Sequence, residues 1–414
     1  MAATVALPGT ALMRVRVKPR ILAIHNYYQQ PGGEDAVFAA ETALLETHGH
    51  AVTRLTVHND ELKRRRRLGV ALDTLWNRRQ CERIDAVIRG DRPDVLHCHN
   101  TFPQFSPAVY HAAKRHGVAV VQTLHNFRLA CVNGLLFRDG HPCTQCVGNF
   151  APWAGVRHAC YRASTLGSLT AASMVAAHKA IGTYDHKVDR YIALTSFARE
   201  QFVRSGLREE AIAVKPNFAP DRGTPATDSG DAFGFLYVGR LSTEKGILPL
   251  IEAARRMRSS ATVTIVGDGP LRDLVERAAR ETERISFTGP LPGEAVHQRM
   301  RAARAVVIPS ICFENFPVVA AEAYGAGRPV VASAHGGLTS IVADGETGVL
   351  VPPDDPGALA AALDSLEGSR TTATRMGRAA RSHYETSLSP AANYAQLAGI
   401  YDDAIAAAKD RASV

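Results

Sequence analysis

The chain has 414 residues, of which 46% are hydrophobic and 21% are charged, as in globular proteins. This length accommodates two domains of ordinary size, and no apolar run approaches the roughly 18 residues of a membrane-spanning helix. The formal net charge is +8, with the positive excess in residues 1–220, which carry 28 Lys and Arg against 17 Asp and Glu.

The first 20 residues, MAATVALPGTALMRVRVKPR, have too short an apolar core and too many late arginines for a signal peptide. We therefore expect a disordered leader and a cytoplasmic protein.

The first strand is predicted at residues 20–25 and runs into a glycine loop, NYYQQPGGED. Strand, glycine loop and helix follow each other in phosphate or sugar cradles of doubly wound sheets. Gly32 and Gly33 would let the backbone approach a ligand, although a plain turn also explains them. A helix over residues 34–48 and a strand over 51–57 follow.

The sharpest basic feature is the run KRRRR at residues 63–67, followed by Arg78, Arg79 and Arg83. Such a run suits anionic lipid headgroups or a phosphorylated acceptor. Nucleic acid is a competing partner, and a merely solvated face is the simplest alternative.

Further alternation predicts a long helix over residues 70–90, strands over 93–98 and 118–124, and a helix over 107–117 between these strands. The β-α alternation is typical of a parallel sheet with right-handed crossovers. His125 and Asn126 fall at the carboxyl end of the fourth strand, where open α/β sheets place ligand groups. A structural histidine is the alternative for His125.

Residues 131–160 interrupt the alternation and contain Cys131, Cys143, Cys146 and Cys160. A central Cys-x-x-Cys with an outer cysteine on each side has the ligand count of a structural zinc site of four thiolates. Four reduced buried thiols are the alternative, disulfides are less expected in a cytosolic chain, and His141 and His158 are substitute ligands. The remaining cysteines, Cys81, Cys98 and Cys312, fit small core positions.

A helix over residues 164–182, a strand over 190–195, a helix over 196–205 and a strand over 212–215 complete the first domain, residues 1–218. The segment 219–232, APDRGTPATDSGDA, is rich in Pro, Gly and Asp and is predicted as a linker.

A second sheet begins with the strand predicted at residues 233–238, which GRLSTEKG follows directly. Arg240 and Lys245 thus lie on the loop and first turn after a strand, where two cations hold a diphosphate and stabilise its charge as a leaving group. A surface pair is the alternative. Strands over 262–266 and 285–288 follow, the first ending in the turn Gly267, Asp268, Gly269.

The segment 305–333 predicts a buried strand over residues 305–309, a loop, a helix starting near Phe316, and a strand over 330–333. Pro317 suits a first helical turn. Glu314 precedes the helix and Glu322 lies within it. A helix N-terminus attracts an anion, and the carboxylates accept hydrogen bonds from hydroxyl groups. A nucleotide sugar offers both, a diphosphate for the helix N-terminus and sugar hydroxyls for the carboxylates. Solvated glutamates are the alternative.

A strand in DGETGVLVPPDDP follows. Helices are predicted over residues 356–367 and 374–386, and a last one over 390–409 that packs back across the first domain. The second domain is then 233–388, with a terminal helix in 389–414.

The motifs GRLSTEKG, VGDGP, FENFPVVAAEAYGAGRPVVAS and DGETGVLVPPDDP occur in this order. Together they resemble the family 4 glycosyltransferases of the GT-B fold. The first half resembles them through its glycine loop, PDVLHCHN and TLHNFRLAC, and looks like enzymes of bacterial exopolysaccharide or capsule assembly.

The resemblance implies an α/β fold of two Rossmann-like domains facing a cleft, an acceptor-side domain first and a nucleotide-sugar-binding domain second. It implies retaining transfer without an essential metal, from a UDP- or GDP-sugar to a glycan or lipid-linked acceptor. No nucleic acid partner is expected, and peripheral attachment to the inner face of the cell membrane fits the basic run.

The resemblance also implies roles for individual residues. The predicted set comprises Arg240 and Lys245 on the donor diphosphate, Glu314 on the donor sugar with the amides of Asn315 and Phe316, Glu322 on the ribose, Gly267 to Gly269 (with Asp268) beside the base, Gly33 at the phosphate and His125 near the sugar and acceptor.

Two features depart from the family pattern. Pro317 replaces a glycine common among relatives and removes an amide donor, and the cysteine insertion is not a general family feature. For the mechanism we expect front-side displacement within an oxocarbenium-like ion pair, because no carboxylate is placed as a covalent nucleophile.

Two other functions remain open. One is a nucleotide-sugar epimerase or phosphorylase with the same fold. The other is a non-catalytic, zinc-stapled binding protein at a basic membrane surface. A dinucleotide-binding enzyme is less favoured, since no G-x-G-x-x-G follows a first strand.

Overall fold

A computed structural model of the chain describes residues 18–29, 32–223 and 234–412. Its first half is built on one parallel sheet and a small two-stranded hairpin. The strands are β1 (Ile21–Tyr27), β2 (Val52–His58), β3 (Val95–Asn100), β4 (Ala119–Leu124), β5 (Phe137–Arg138), β6 (His141–Pro142), β7 (Arg190–Ala193) and β8 (Ile212–Val214).

The main sheet has the order β2-β1-β3-β4-β7-β8, and β5 and β6 form the hairpin. All residues of β3 and β4 are buried, as a parallel sheet covered on both faces requires. The helices of this half are α1 (Gly33–Thr47), α2 (Arg67–Leu75), α3 (Arg78–Asp91), α4 (Ala108–Arg115), α5 (Trp153–Arg157), α6 (Thr165–Ala180), α7 (Thr183–His186) and α8 (Ser196–Arg204).

The second half is built on a separate six-stranded parallel sheet. Its strands are β9 (Phe235–Val238), β10 (Val263–Val266), β11 (Ile285–Gly289), β12 (Ala305–Ile308), β13 (Val330–Ser333) and β14 (Gly348–Val351), in the order β11-β10-β9-β12-β13-β14. Its helices are α9 (Ile247–Arg256), α10 (Arg272–Glu281), α11 (Gly293–Ala302), α12 (Val318–Gly325), α13 (Leu338–Ile341), α14 (Pro356–Gly368) and α15 (Arg370–His383).

These two doubly wound sheets confirm the predicted α/β fold of two Rossmann-like domains. The last helix, α16 (Pro390–Ala412), returns to the first sheet as expected. Its side chains Leu397, Ile400 and Tyr401 pack in one apolar cluster with Ile21 and Val95. The end of the chain therefore contributes to the core of the first half.

The prediction of one long helix over residues 70–90 is wrong, because α2 ends at Leu75 and α3 begins at Arg78. Asn77 separates them by capping α3, its side-chain oxygen accepting from the Gln80 N–H at 3.2 Å. The Asn77 amide also donates to the Gln104 carbonyl at 2.5 Å. These bonds fix the chain direction between the two helices, as an N-cap residue does.

The helix that follows β12 begins slightly later than predicted. α12 starts at Val318, and Pro317 is its N-cap residue rather than part of its first turn. In the core, Cys81, Cys98 and Cys312 are buried, which confirms their prediction as core residues.

Residues 1–17 of the predicted leader lie outside the described residues, as do residues 224–232 of the predicted linker. The residues just before position 224 contact the second half of the chain. The Tyr384 hydroxyl donates to the Ala219 carbonyl at 2.9 Å, and Arg381 pairs with Asp221 at 3.1 Å.

Candidate functional site

The two sheets approach each other at the carboxyl end of β4 and the start of α12. The Asn315 side-chain amide donates to the Leu124 carbonyl at 2.7 Å, directly before His125. The rings of Phe197 and Phe313 lie 5.1 Å apart across the same boundary. The contact brings the predicted acceptor-side and donor-side residues into one cleft.

Lys245 and Glu314 form an ion pair at this cleft. Lys245 ends a 3₁₀ turn after β9, and its Nζ donates to Glu314 Oε1 at 2.6 Å. The Ser310 hydroxyl donates to the same oxygen at 2.6 Å. Burial acts to raise the pKa of Glu314, but the Lys245 ammonium and the Ser310 hydroxyl outweigh it and hold that pKa below its ordinary value. The pair is therefore ionised at neutral pH.

Glycine at position 246 allows this pairing. Gly246 has φ +73°, and a Cβ there would lie 1.8 Å from the Pro309 carbonyl oxygen. Only glycine tolerates both the left-handed backbone and this approach. The close neighbour is thus the loop after β12.

Arg240 is exposed, and its side chain forms no hydrogen bond or ion pair with any described residue. Its carbonyl accepts from the Tyr237 hydroxyl at 2.8 Å, which fixes the backbone of the loop. The Arg240 guanidinium is consequently available to an anion.

The turn Gly267 to Gly269 packs directly on the loop that carries Arg240. A Cβ at Gly267 would lie 1.9 Å from the Gly239 carbonyl oxygen, and one at Gly269 would lie 2.5 Å from the Leu241 carbonyl oxygen. Asp268 is exposed, and its carboxylate accepts from the Gly269 N–H at 2.9 Å. The two loops form one continuous surface beside Lys245.

Backbone donors and a carboxylate remain available around the start of α12. The N–H groups of Asn315 and Phe316 donate no hydrogen bond to a described residue, although both residues are buried. Glu322 is half-buried on α12, and burial raises its pKa. Free amides and a carboxylate acceptor can bind phosphate and hydroxyl groups respectively.

In the first half, Gly33 is the exposed first residue of α1, and a Cβ on Gly32 or Gly33 would meet no atom within 4 Å. The Gly32 N–H donates to the Asp35 carboxylate at 2.9 Å, and His25 Nε2 lies 2.6 Å from the same carboxyl group. The buried Asp35 side chain thus anchors the end of the glycine loop to β1.

His125 lies at the end of β4, half-buried, with its Nε2 3.0 Å from His99 Nδ1. His99 Nε2 lies 3.2 Å from Glu41 Oε1, and Lys215 Nζ donates to Glu41 Oε2 at 2.8 Å. Burial lowers the pKa of His125, so its imidazole is neutral. The sequence analysis missed Glu41, His99 and Lys215 because they are far apart along the chain.

The Glu41 charge favours one arrangement of protons on these two histidines. His99 Nε2 lies 3.2 Å from Glu41 Oε1 without hydrogen-bond geometry, and a proton on this nitrogen faces the carboxylate and leaves His99 Nδ1 as an acceptor. His125 must then donate through Nε2, which leaves its Nδ1 as an acceptor. His97, the other histidine of β3, is occupied by Tyr401 and Thr123, each at 2.8 Å.

Glu34 is a further residue that the sequence analysis missed. Its carboxyl group accepts from the Asn100 amide at 2.8 Å and from the Asn126 amide at 3.3 Å. Burial raises its pKa to about 7, against hydrogen bonds from Tyr28 and Asn126 that lower it. The position of Glu34 directly after Gly33 was the available signal.

Two groups of candidate metal ligands lie within 4.8 Å among the described residues: Glu41, His97 and His99, and His25, Glu34 and Asp35. The first is already neutralised by Lys215, and both His97 nitrogens have partners. In the second, His25 and Asp35 bind each other. Lys215 thus already supplies the cation that faces the first group, and the Asp35 carboxyl group of the second is engaged by His25.

Two family models match the chain over most of its length. "Glycosyltransferase Family 4" matches residues 31–221, and "Glycosyl transferases group 1" matches residues 232–368. The first match covers the first sheet except β1, and the second covers the whole second sheet. Together they include every predicted site residue.

Relatives and solved structures agree with these matches. The chain is 41% identical over 152 residues to a glycogen synthase of Mycobacterium tuberculosis, covering 35% of this chain and 36% of that protein. It is 29% identical to the alpha-D-kanosaminyltransferase of Streptomyces kanamyceticus, covering 69% and 70%. The crystal structure of Anabaena HepE in complex with UDP superposes with a TM-score of 0.63 at 18% identity, covering 92% and 98%.

The matched part of the chain spans only 36 to 48% of the length of the first curated relatives. Among the described residues, no helix is both long enough and apolar enough to cross a lipid bilayer.

Proposed function

Because the chain belongs to the family 4, group 1 glycosyltransferases, we propose that it transfers a sugar from a nucleotide-sugar donor to a hydroxyl group of an acceptor, with retention of anomeric configuration. The observation that carries this proposal is the cleft at Asn315 and Leu124. There, Asn315, which follows Glu314 of the Lys245–Glu314 pair, contacts Leu124, which precedes His125. A transferase that joins two substrates needs such convergent sites.

The donor site is assigned to the second half. Arg240 and Lys245 provide two cations for a diphosphate, with the amides of Asn315 and Phe316 at the start of α12. Glu322 would accept from the ribose hydroxyls, and the turn at Gly267 to Gly269 would lie beside the base. A UDP- or GDP-sugar fits this set, and the UDP complex of HepE supports uracil as the first base to test.

The chemistry proposed is a front-side displacement. The C–O bond between the sugar and the diphosphate breaks first, and the acceptor oxygen attacks the same face of the oxocarbenium-like sugar. The departing phosphate takes the acceptor proton. Lys245 uses one N–H on Glu314 and has two more for the leaving group. Its charge and that of Arg240 stabilise the diphosphate, so no catalytic metal is required.

The acceptor is assigned to the pocket at the carboxyl ends of β3 and β4. Asn100, His125, Asn126 and Arg128 line it, with Phe102 among its apolar walls. His125 Nδ1 and Glu34 offer hydrogen-bond acceptors to a hydroxyl group. We take the acceptor to be a glycan or lipid-linked glycan in cell-surface polysaccharide assembly.

A membrane surface is proposed as the place where this acceptor is met. Leu68, Leu72 and Trp76 are spaced by four residues along or just beyond α2 and are 73%, 62% and 39% exposed. The arginines of the run 63–67 precede them and are exposed. An exposed apolar stripe beside basic residues is typical of a helix lying in the interface of an anionic membrane.

The donor site is tested by thermal unfolding with UDP, GDP, ADP and their sugars. A ligand that binds only the native protein raises Tm by mass action. We expect a shift with UDP or GDP that Lys245→Ala abolishes and that Lys63→Ala, an exposed lysine of the other half, retains. No shift with any nucleotide would contradict the donor site and favour the non-catalytic alternative.

Retention and transfer are tested on the reaction itself. Proton NMR of the first product formed from an α-linked donor should show an α-anomeric proton, with free nucleotide released in equal amount. Added Mg²⁺ should leave the rate unchanged. A β-product would overturn retention, and isomerised nucleotide sugar without nucleotide release would identify an epimerase.

Membrane binding is tested by co-sedimentation with vesicles of phosphatidylglycerol and phosphatidylcholine. Charge removal at Arg64 to Arg67, or Leu68→Gln with Leu72→Gln, should each weaken binding. Removing Arg277 and Arg280, which are exposed on α10, should not. Unchanged sedimentation of the first two variants would contradict the surface.

A further inference from the structure

The cysteine insertion is the sequence feature that the proposed sugar transfer does not use. Its four cysteines line one small pocket in the structure, although they come from three separate points of the chain. We propose that Cys131, Cys143, Cys146 and Cys160 bind one structural Zn²⁺ ion. This site lies outside the transfer cleft and does not depend on the proposed activity.

The chain path carries the four side chains to this pocket. Cys131 follows β4, Cys143 and Cys146 follow the β5–β6 hairpin, and Cys160 follows α5. The Cys143 N–H donates to the Leu136 carbonyl at 2.7 Å, and the Cys160 N–H donates to the Gly155 carbonyl at 2.9 Å. Hairpin and helix thus hold their cysteines toward the same point.

The middle pair has the local form of a metal-binding knuckle. Residues 143–148 read Cys-x-x-Cys-x-Gly, and Gly148 has φ +83°. A left-handed glycine there turns the chain back after the second cysteine.

The donor set fits zinc better than other ions. Four thiolates are the ligands of closed, tetrahedral structural zinc sites. His141 and His158, the substitute ligands considered from the sequence, are exposed and do not line the pocket. Arg138 lines it and partly offsets the net negative charge that Zn²⁺ with four thiolates carries.

The fold of the insertion explains why a metal would be needed. Residues 131–160 contain only the two-residue strands β5 and β6 and the five-residue helix α5. Leu135, Phe150 and Trp153 are 46%, 61% and 53% exposed, so much of its apolar surface is not buried. A segment with so small a core is commonly stabilised by a metal or by disulfides, and the seven cysteines are unpaired.

Metal binding requires a modest closure of the pocket. The cysteines are not among the ligand groups within 4.8 Å of one another, whereas tetrahedral coordination at about 2.3 Å brings sulfur atoms to about 4 Å. Cys143 and Cys160 are only half-buried. Their loops can therefore move toward Cys131 and Cys146 without disturbing the main sheet.

The site would also stiffen the acceptor side of the cleft. The Phe127 N–H donates to the Gly134 carbonyl at 2.9 Å, which closes a loop that includes Cys131. Asn126, at the base of that loop, accepts from the Arg128 N–H at 3.1 Å. A metal on Cys131 thus limits the motion of the segment that carries Asn126 and Arg128.

Metal content of the purified full chain tests the proposal. Mass spectrometry should find one Zn²⁺ per chain, released when a mercurial reagent modifies the thiols. Cys143→Ser should lower the zinc content and Tm, whereas Cys81→Ala, a change at a buried cysteine outside the pocket, should keep the zinc.

A spectroscopic measurement on the wild-type chain keeps the test valid if Cys143→Ser does not fold. Protein expressed with Co²⁺ should show thiolate-to-cobalt charge transfer and the intense visible bands of a tetrahedral site. Absence of both zinc and the cobalt spectrum would overturn the proposal. So would intact-mass evidence for two disulfides under non-reducing conditions.

Discussion

Two Lys–Glu pairs of similar length lie in the two halves of the molecule, and they differ in their access to solvent. Lys215 and Glu41 are 2.8 Å apart with both side chains 2% exposed. Lys245 and Glu314 are 2.6 Å apart with side chains 32% and 9% exposed. The first pair is sealed behind β3, and the second opens to the cleft.

The difference separates a structural role from a ligand-binding role. Glu41 contacts only protein groups, namely Lys215 and the histidines of β3, and through His99 it orients His125. Lys245 retains donor capacity for a ligand. The same two residue types therefore form a closed internal contact in one half and a partly exposed pair in the other.

The largest effect is expected from breaking the sealed pair. Lys215→Met leaves Glu41 as an uncompensated buried charge, which should lower the free energy of unfolding by about 3 to 5 kcal/mol. Urea unfolding followed by circular dichroism measures this loss. Adding Glu41→Gln to Lys215→Met should recover part of it, and a double variant as unstable as the sum of the single variants would contradict the coupling.

Breaking the open pair should affect turnover more than folding. Lys245→Ala removes a cation from the leaving diphosphate, and losses of such transition-state contacts cost about 10²- to 10³-fold in kcat. Initial rates of nucleotide release measure this effect. Turnover within threefold of wild type, at about the same Tm, would refute the assigned role of Lys245.

Glu34, in the first half, should make the stability of the protein depend on pH. Its raised pKa, about 7, means that the native state binds its proton more tightly than the unfolded chain does. Its stabilising contribution is full below about pH 4.5 and is lost as pH rises through 7.

Glu34→Gln should therefore reduce the fall in stability between pH 5 and pH 8, by an amount on the order of 1 to 3 kcal/mol. Thermal unfolding across that pH range measures it, with Glu82→Gln, an exposed change on α3, as the control. Parallel curves for wild type and Glu34→Gln would show that Glu34 titrates normally.

An exposed ion pair should have the smallest effect. Arg255 and Glu281 pair on the surface of the second half with side chains 42% and 59% exposed. Solvent screens such pairs, so Arg255→Met should change the free energy of unfolding by less than about 1 kcal/mol. A decrease in the free energy of unfolding as large as that caused by Lys215→Met would show that burial does not explain why the ion pairs differ in their contribution to stability.

The positions of the predicted donor-site residues were predictable because the motifs of the second half are short and contiguous. Arg240 and Lys245 share one loop, and Glu314 and Glu322 flank one helix start, so strand periodicity sufficed to place them in the segments that follow β9 and β12. The break at Asn77 was not predicted, because residues 70–90 have a helical pattern and the capping partner Gln104 lies far along the chain.

The sequence by itself determined the two parallel sheets, the returning terminal helix and the residues at the strand ends, because periodicity, glycine loops and capping act over a few neighbouring residues. Only the tertiary structure decided the ionisation of Glu34, the orientation of His125 through Glu41 and His99, and the meeting of four cysteines at one pocket. Burial and long-range contacts set these properties, and residues that approach each other from distant points leave no local pattern in the chain.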